Sequence, residues 1–147
     1  MATTPRPGIP VLPCACANLR RAARAVTQAY DRALRPTGLR PTQFTLLQAL
    51  SLAGPLAQRE LADILAIDST TLSRTLAPLE SSGWIRSLAG EDRRERRLQI
   101  TGLGRQKLQR ATTAWEGAQR RLRSRLGDEQ WGALQSLLTA TADAARR

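Results

Sequence analysis

The chain has 147 residues, enough for one domain with a sizeable core, and its net charge of +11 rests on 22 arginines and the single Lys107. That excess points to a polyanionic partner, with nucleic acid first and an anionic membrane second. Histidine is absent, which removes the commonest general base and the commonest metal ligand. The five aromatic residues (Tyr30, Phe44, Trp84, Trp115 and Trp131) are too few for the stacking platform of a single-strand binder.

The opening MATTPRPGIPVLP has no apolar signal-peptide region, so residues 1–15 are expected to form a flexible arm. No run of about 18 apolar residues exists, so no membrane span is expected and a cytoplasmic location is the default. From Cys16, the residues Leu19, Ala23, Val26, Tyr30 and Leu34 recur at helical spacing, with Arg20, Arg21, Arg24 and Arg32 on the wetter side. Pro36-Thr37-Gly38 stops this helix. Pro41 suits a first helical position, and the next helix turns Phe44, Leu47 and Leu50 inward as far as Gly54-Pro55.

A short helix is expected from Gln58 to Leu65, with Leu61, Ile64 and Leu65 apolar. After a turn at Ala66-Ile67, Asp68-Ser69 supplies an N-cap for a helix from Ser69 to Glu80 that turns Leu72, Leu76 and Leu79 inward. Two helices of this length joined by a tight turn have helix-turn-helix spacing. Beyond Gly83 the period changes to two. Trp84 to Leu88 and Arg96 to Ile100 read as antiparallel strands, with Ala89 to Glu95 as the hairpin tip.

Thr101 can cap a long helix carrying Leu103, Leu108, Ala111, Trp115, Ala118, Leu122 and Leu126. Gly127 ends it, and Asp128 is expected to cap a last helix with Trp131, Leu134 and Leu138 on its apolar face. The first helix and the last two lack an obvious partner inside so small a core, so they are expected to pack on one another and on a second subunit. The fold class is therefore mainly α with a small β-wing (α+β).

The segment QRELADILAIDSTTLSRTLAPLESSGWI resembles the DNA-reading core of the MarR family of dimeric winged helix-turn-helix transcriptional regulators. EDRRERRLQITGLGR is similar to that family's D-x-R wing and the Leu-Thr-x-x-Gly that opens its next helix, and NLRRAARAVTQAYDRALRPTGLRPTQFTLLQAL is similar to its N-terminal half. The likeness covers roughly residues 16–140. It implies one unit over 16–147, with dimerisation helices at 16–36 and 102–147, a DNA-binding region at 41–101 and a wing at 84–101.

Three positions depart from the family pattern. Ala57 stands where Ser or Thr often caps, so that helix end is expected to fray. Ile100-Thr101 replaces Leu-Thr, and Pro78 is expected to bend the recognition helix near its end.

Ser69, Thr70, Thr71, Ser73 and Arg74 are left outward on the recognition helix, where the resemblance implies contact with the major groove of double-stranded DNA. Residues 59–80 nevertheless hold two arginines and four acids, so phosphate affinity must come from flanking elements. The wing offers Arg86, Arg93, Arg94, Arg96 and Arg97 against Glu91, Asp92 and Glu95. Asp92 lies two residues before Arg94, close enough in a tight tip to hold its guanidinium. The resemblance implies that Asp92 orients, Arg94 enters the minor groove and Arg93 contacts the neighbouring backbone.

The resemblance also implies a small-molecule effector cleft, for which Arg24, Tyr30, Phe44 and Trp115 are the candidates. The plainer reading makes the three aromatics ordinary core. Cys14-Ala15-Cys16 has three readings: inert small residues, a thiol redox pair, or, with the same cysteines of a partner chain, a site for a thiophilic metal or arsenical. No cofactor is required.

The function implied is sequence-specific transcriptional regulation by a homodimeric repressor. It would bind a pseudo-palindromic operator with half-sites ~10 base pairs apart and be released by a small molecule or by chemistry at Cys14 and Cys16. The alternative is a sequence-tolerant architectural DNA-binding protein. An enzyme is not expected, because no catalytic constellation is legible.

Overall fold

The computed structural model describes residues 10, 12–90, 92 and 95–146. The order of elements is α1 (Ala15–Leu34), α2 (Pro41–Ala53), β1 (Leu56–Ala57), α3 (Gln58–Leu65), α4 (Ser69–Ser81), β2 (Ile85–Ala89), β3 (Arg96–Ile100), α5 (Gly102–Leu126) and α6 (Asp128–Ala145). A three-stranded antiparallel sheet, ordered β1-β3-β2, stands beside the helices. The expected mainly helical fold with a small wing is the one observed.

Local chemistry accounts for most of the boundaries. A 3-10 turn over Arg35–Thr37 follows α1, and Gly38 then takes a left-handed conformation (φ 77°) that lets Leu39 turn into the core. Pro41 opens α2, and the Gln43 side chain accepts the Arg40 N–H at 2.9 Å. This helix lies at the centre, burying Leu46 as well as the expected Phe44, Leu47 and Leu50. Leu61, Leu72, Leu76, Leu79, Ile85, Leu98 and Ile100 close the same core from α3, α4 and the sheet.

Several expectations are corrected. The α3 start is held by partners despite the missing Ser or Thr cap. Ala57 is buried and paired with Arg97 across β1 and β3, and the Glu60 carboxylate accepts its N–H at 2.6 Å. Strand β1 itself was not foreseen, because two residues carry no periodicity.

Of the three large apolar residues of α3, Leu61 is buried and Ile64 is exposed. Leu103 is likewise exposed. Ala89 belongs to β2, which shortens the wing tip to Gly90–Glu95 and starts the strand at Ile85 after Trp84. Asp128 is the first residue of α6 and not its cap. Gly127 holds the cap position, and Asp128 instead accepts from Arg123 Nε at 2.7 Å. Helix α1 begins at Ala15, inside the expected arm, and residues 1–9 and 11 of that arm lie outside the described residues.

Helix α5 returns from the wing against α1 and α2. Its buried residues Gly104, Ala111 and Ala118 recur every seven positions and form a seam of small side chains. Gly104 is required by contact, since a Cβ there would lie 2.0 Å from the Trp84 carbonyl oxygen. Thr101 caps α5 through the Gly104 N–H at 3.0 Å, while its hydroxyl donates to the Gly83 carbonyl at 2.6 Å. Helix start and wing base are thereby tied together.

Candidate nucleic-acid interface

Helix α4 divides cleanly between two faces. Leu72, Leu76 and Leu79 are buried, and Ser69, Thr70, Thr71, Ser73 and Arg74 are all exposed on the other side. Asp68 holds the cap position, accepting the Thr71 N–H at 2.8 Å and the Thr71 hydroxyl at 2.6 Å. The Thr71 hydroxyl, with its N–H second, keeps the Asp68 carboxyl below the usual carboxylate range.

Thr71 therefore has its hydroxyl proton committed, leaving its oxygen as an acceptor. Ser73 accepts from Gln58 Nε2 at 2.9 Å, which couples the first helix of the motif to the exposed face of the second. Arg74 has no acidic partner among the described residues. Pro78 has no N–H to give the Arg74 carbonyl, yet α4 continues to Ser81.

The turn before α4 is tight for a physical reason. Ala66 adopts φ 51° and ψ 43°, its N–H reaching the Asp63 carbonyl while the Ile67 N–H reaches Ala62. This is the left-handed helix stop usually given to glycine, here made by alanine.

The three described wing arginines take different roles. Arg96 donates from Nε to Ser87 at 2.5 Å and from Nη2 to the Glu80 carboxylate at the end of α4, where Ser87 also donates. Arg97 donates to the Pro55 carbonyl at 2.7 Å and lies 4.0 Å from Glu60. Two of the four acids that made the helix-turn-helix net negative are thus met by the base of the wing. Arg86 gives both Nε and Nη2 to Gln99 Oε1, at 2.9 and 2.7 Å, across the β2–β3 pair.

At the tip, Gly90 N–H bonds to the Glu95 carbonyl and Glu95 N–H to the Asp92 carbonyl. Gly90 is required there, because a Cβ would come within 2.7 Å of the Glu95 oxygen. Asp92 is exposed. Glu91, Arg93 and Arg94 lie outside the described residues, and with them the expected pairing of Asp92 and Arg94.

Away from α4, Tyr30, Phe44 and Trp115 do come together, lining a cleft of about 170 Å³ with Val26, Thr27 and Pro41. Phe44 and Trp115 stack with centroids 5.5 Å apart, and the Tyr30 hydroxyl donates to Gln119 Oε1. Arg24 is exposed and does not line this cleft, because α1 turns it outward.

Cys14 and Cys16 are both exposed free thiols, Cys14 at the cap position of α1 and Cys16 in its first turn. Asn18 holds the segment that precedes them, donating from Nδ2 to the Leu12 carbonyl at 2.7 Å, and its N–H reaches the Cys14 carbonyl at 3.1 Å. Among the described residues, no three His, Cys, Asp or Glu side chains gather as a metal site. None of the described helices is long and apolar enough to cross a membrane.

A capped helix-turn-helix followed at once by a two-stranded wing, on a three-stranded sheet, defines a winged helix-turn-helix protein. The MarR family model matches residues 37–95. The Mycobacterium tuberculosis transcriptional regulator MosR, solved in complex with DNA, is 41% identical; the match covers 90% of this chain and 96% of MosR with a TM-score of 0.82. The transcriptional repressor CouR, bound to a 23-mer DNA duplex, is 30% identical over 88% of this chain and 92% of its own, with a TM-score of 0.80. An uncharacterized HTH-type transcriptional regulator of Bacillus subtilis, YwoH, is 32% identical over 84 residues, 57% of this chain and 61% of that protein. The chain belongs to the MarR family.

Proposed function

We propose that this chain is a sequence-specific regulator of transcription that binds double-stranded DNA as a homodimer, represses from a pseudo-palindromic operator, and is released by oxidation of Cys14 and Cys16. The observation that carries DNA binding is the exposed face of α4, with Ser69, Thr70, Ser73 and Arg74 beside a wing fastened to that helix by Arg96 and Glu80. Support comes from a 41% identical regulator solved with DNA. In this reading α4 lies in the major groove, Arg94 enters the minor groove with Asp92 orienting it, and Arg93 takes a neighbouring phosphate.

Dimerisation through α1, α5 and α6 is supported by the apolar side chains they leave outside. Leu19, Val26, Leu137 and Leu138 are exposed, and α6 buries no residue in the single chain.

Thiol control is favoured over a small-molecule effector by size and exposure. The aromatic cleft of about 170 Å³ is well under the ~300–1,000 Å³ of ordinary ligand pockets, while both thiols are open to solvent. A peroxide would take two electrons and two protons from the two thiols, forming the Cys14–Cys16 disulfide and leaving as two waters. So short a ring cannot close without unwinding the first turn of α1 and releasing the Asn18 N–H from Cys14. That disturbs a helix of the proposed dimer interface and hence the separation of the two α4 helices.

The test is a titration of the chain, reduced and then peroxide-treated, against its own upstream DNA and against random DNA at one salt concentration. Roughly 10³-fold discrimination is expected. Equal affinity for both DNAs would replace this reading with sequence-tolerant architectural binding. Arg94→Ala should weaken operator binding with the dimer intact. The Cys14→Ser, Cys16→Ser double variant should lose the peroxide response; a retained response, or release by an arsenical or a thiophilic metal alone, would move the sensor or change its chemistry.

A further inference from the structure

Some arginines of α5 and of the turn after α1 are met by acids of the same chain. Arg35 pairs with Asp31 at 3.0 Å, Arg120 with Glu116 at 3.8 Å and Arg123 with Asp128 at 2.7 Å. Arg32, Arg121 and Arg125 have no acidic partner among the described residues, and all three line one cleft of about 270 Å³ between the two helices. The cleft exists because Ala29, Ala33 and Ala118 keep its walls low.

Gly117, beside the cleft and not part of its lining, sets where one of these guanidiniums rests. A Cβ there would sit 3.3 Å from Arg121 Nη1, so the guanidinium lies back over the bare glycine.

Three like charges around one hollow repel, and an anion placed among them adds an attraction to each that offsets those repulsions. Guanidinium forks match the paired oxygens of phosphate or carboxylate. The hollow is slightly smaller than the ~300–1,000 Å³ of drug-sized sites, which restricts the ligand to a compact one. DNA bound at α4 is too remote to be that anion. Helix α5 leaves the wing base at Gly102, and Arg121 lies about 28 Å further along it at 1.5 Å per residue.

We propose that Arg32, Arg121 and Arg125 form a binding site for one compact anion of two or more charges, bearing phosphate or carboxylate oxygens, distinct from the DNA-binding face.

The experiment is calorimetric titration of the full chain with inorganic pyrophosphate and, separately, with citrate, at constant ionic strength set by chloride. Saturable binding of one anion per chain is expected, and the tighter of the two probes tells phosphate from carboxylate preference. Arg121→Gln and Arg125→Gln should each weaken it roughly tenfold. Gly117→Ala should weaken it a few-fold without changing the charge, by displacing the Arg121 guanidinium. Arg110→Gln, an exposed arginine of α5 outside the cleft, should leave it unchanged.

The proposal is overturned if binding does not saturate, or if Arg110→Gln costs as much as Arg121→Gln, since either result marks a diffuse counterion effect. It is equally overturned if Arg121→Gln weakens self-association and leaves anion affinity alone, which would show the arginines to be held by acids of a second copy.

Discussion

Helices α4 and α6 carry the same kind of apolar stripe, and the fold treats them in opposite ways. In α4 the three leucines are 0–1% exposed, covered by α2, α3 and the sheet. In α6 no residue is buried, Leu137 is 65% exposed and Leu138 44%. A helical period states that a side prefers to be dry, but whether it becomes dry depends on what other layer is present. The winged core supplies its own layers within one chain, and the outer helices do not.

One substitution made in both regions separates them most sharply. Gly104→Ala would push a Cβ into the Trp84 backbone and lift α5 from the wing base, at a cost of about 1–3 kcal/mol, measured by denaturant unfolding. Gly132→Ala in α6 meets nothing within 4 Å in the single chain and should stabilise the helix by roughly 0.5–1 kcal/mol. Should Gly132→Ala instead weaken self-association in sedimentation, a second copy packs closely there, and the contrast between the regions belongs to the monomer alone.

The link between α4 and the wing offers the next test. Glu80→Gln keeps the shape but removes the charge that Arg96 and Ser87 share. Operator affinity is expected to fall roughly three- to tenfold, with less change on random DNA. An equal loss on both would mean that Glu80 only stabilises the fold. Arg96→Lys should lower affinity too, because an ammonium keeps the charge but lacks the rigid fork that reaches Ser87 and Glu80 from two nitrogens.

A smaller effect of opposite sign is expected at the turn. Ala66→Gly relieves a left-handed alanine and should raise stability by roughly 0.5–1 kcal/mol, less what glycine adds to the freedom of the unfolded chain. A loss of stability would show that the Ala66 methyl contributes packing that outweighs its strain.

The smallest is a pH effect. Burial pushes the Tyr30 phenol above its ordinary value. The fold thus favours the neutral form; its contribution is complete below the unfolded tyrosine pKa of ~10 and is lost as pH rises through the higher folded one. Tyr30 is the only tyrosine, so the ultraviolet titration of its phenolate reads it alone. A midpoint at or below ~10 contradicts the burial.

Much of this fold was legible because helix ends are local events. Pro41, Gly54-Pro55, Asp68, Gly83, Thr101 and Gly127 act on the φ and ψ of their own neighbours, so six helices and a hairpin could be read within a residue or two. The inward set Leu72, Leu76 and Leu79 and the outward set Ser69 to Arg74 follow from the 3.6-residue period in the same way. Partners across the chain were not legible. Nothing near Arg96 in sequence announces Glu80, sixteen residues away, and nothing near Arg97 announces Pro55 or Glu60.

The run of charge in the wing therefore looked like one surface, and only packing divided it into a clasped base and a tip. Strand β1 was too short to leave a pattern and exists because β3 presents it an open edge. Sequence determined which elements form and which of their faces avoid water, because those depend on short-range geometry and periodicity. Tertiary structure decided which charges are spent inside the fold and which remain to meet a ligand, because that depends on what distant segments bring alongside.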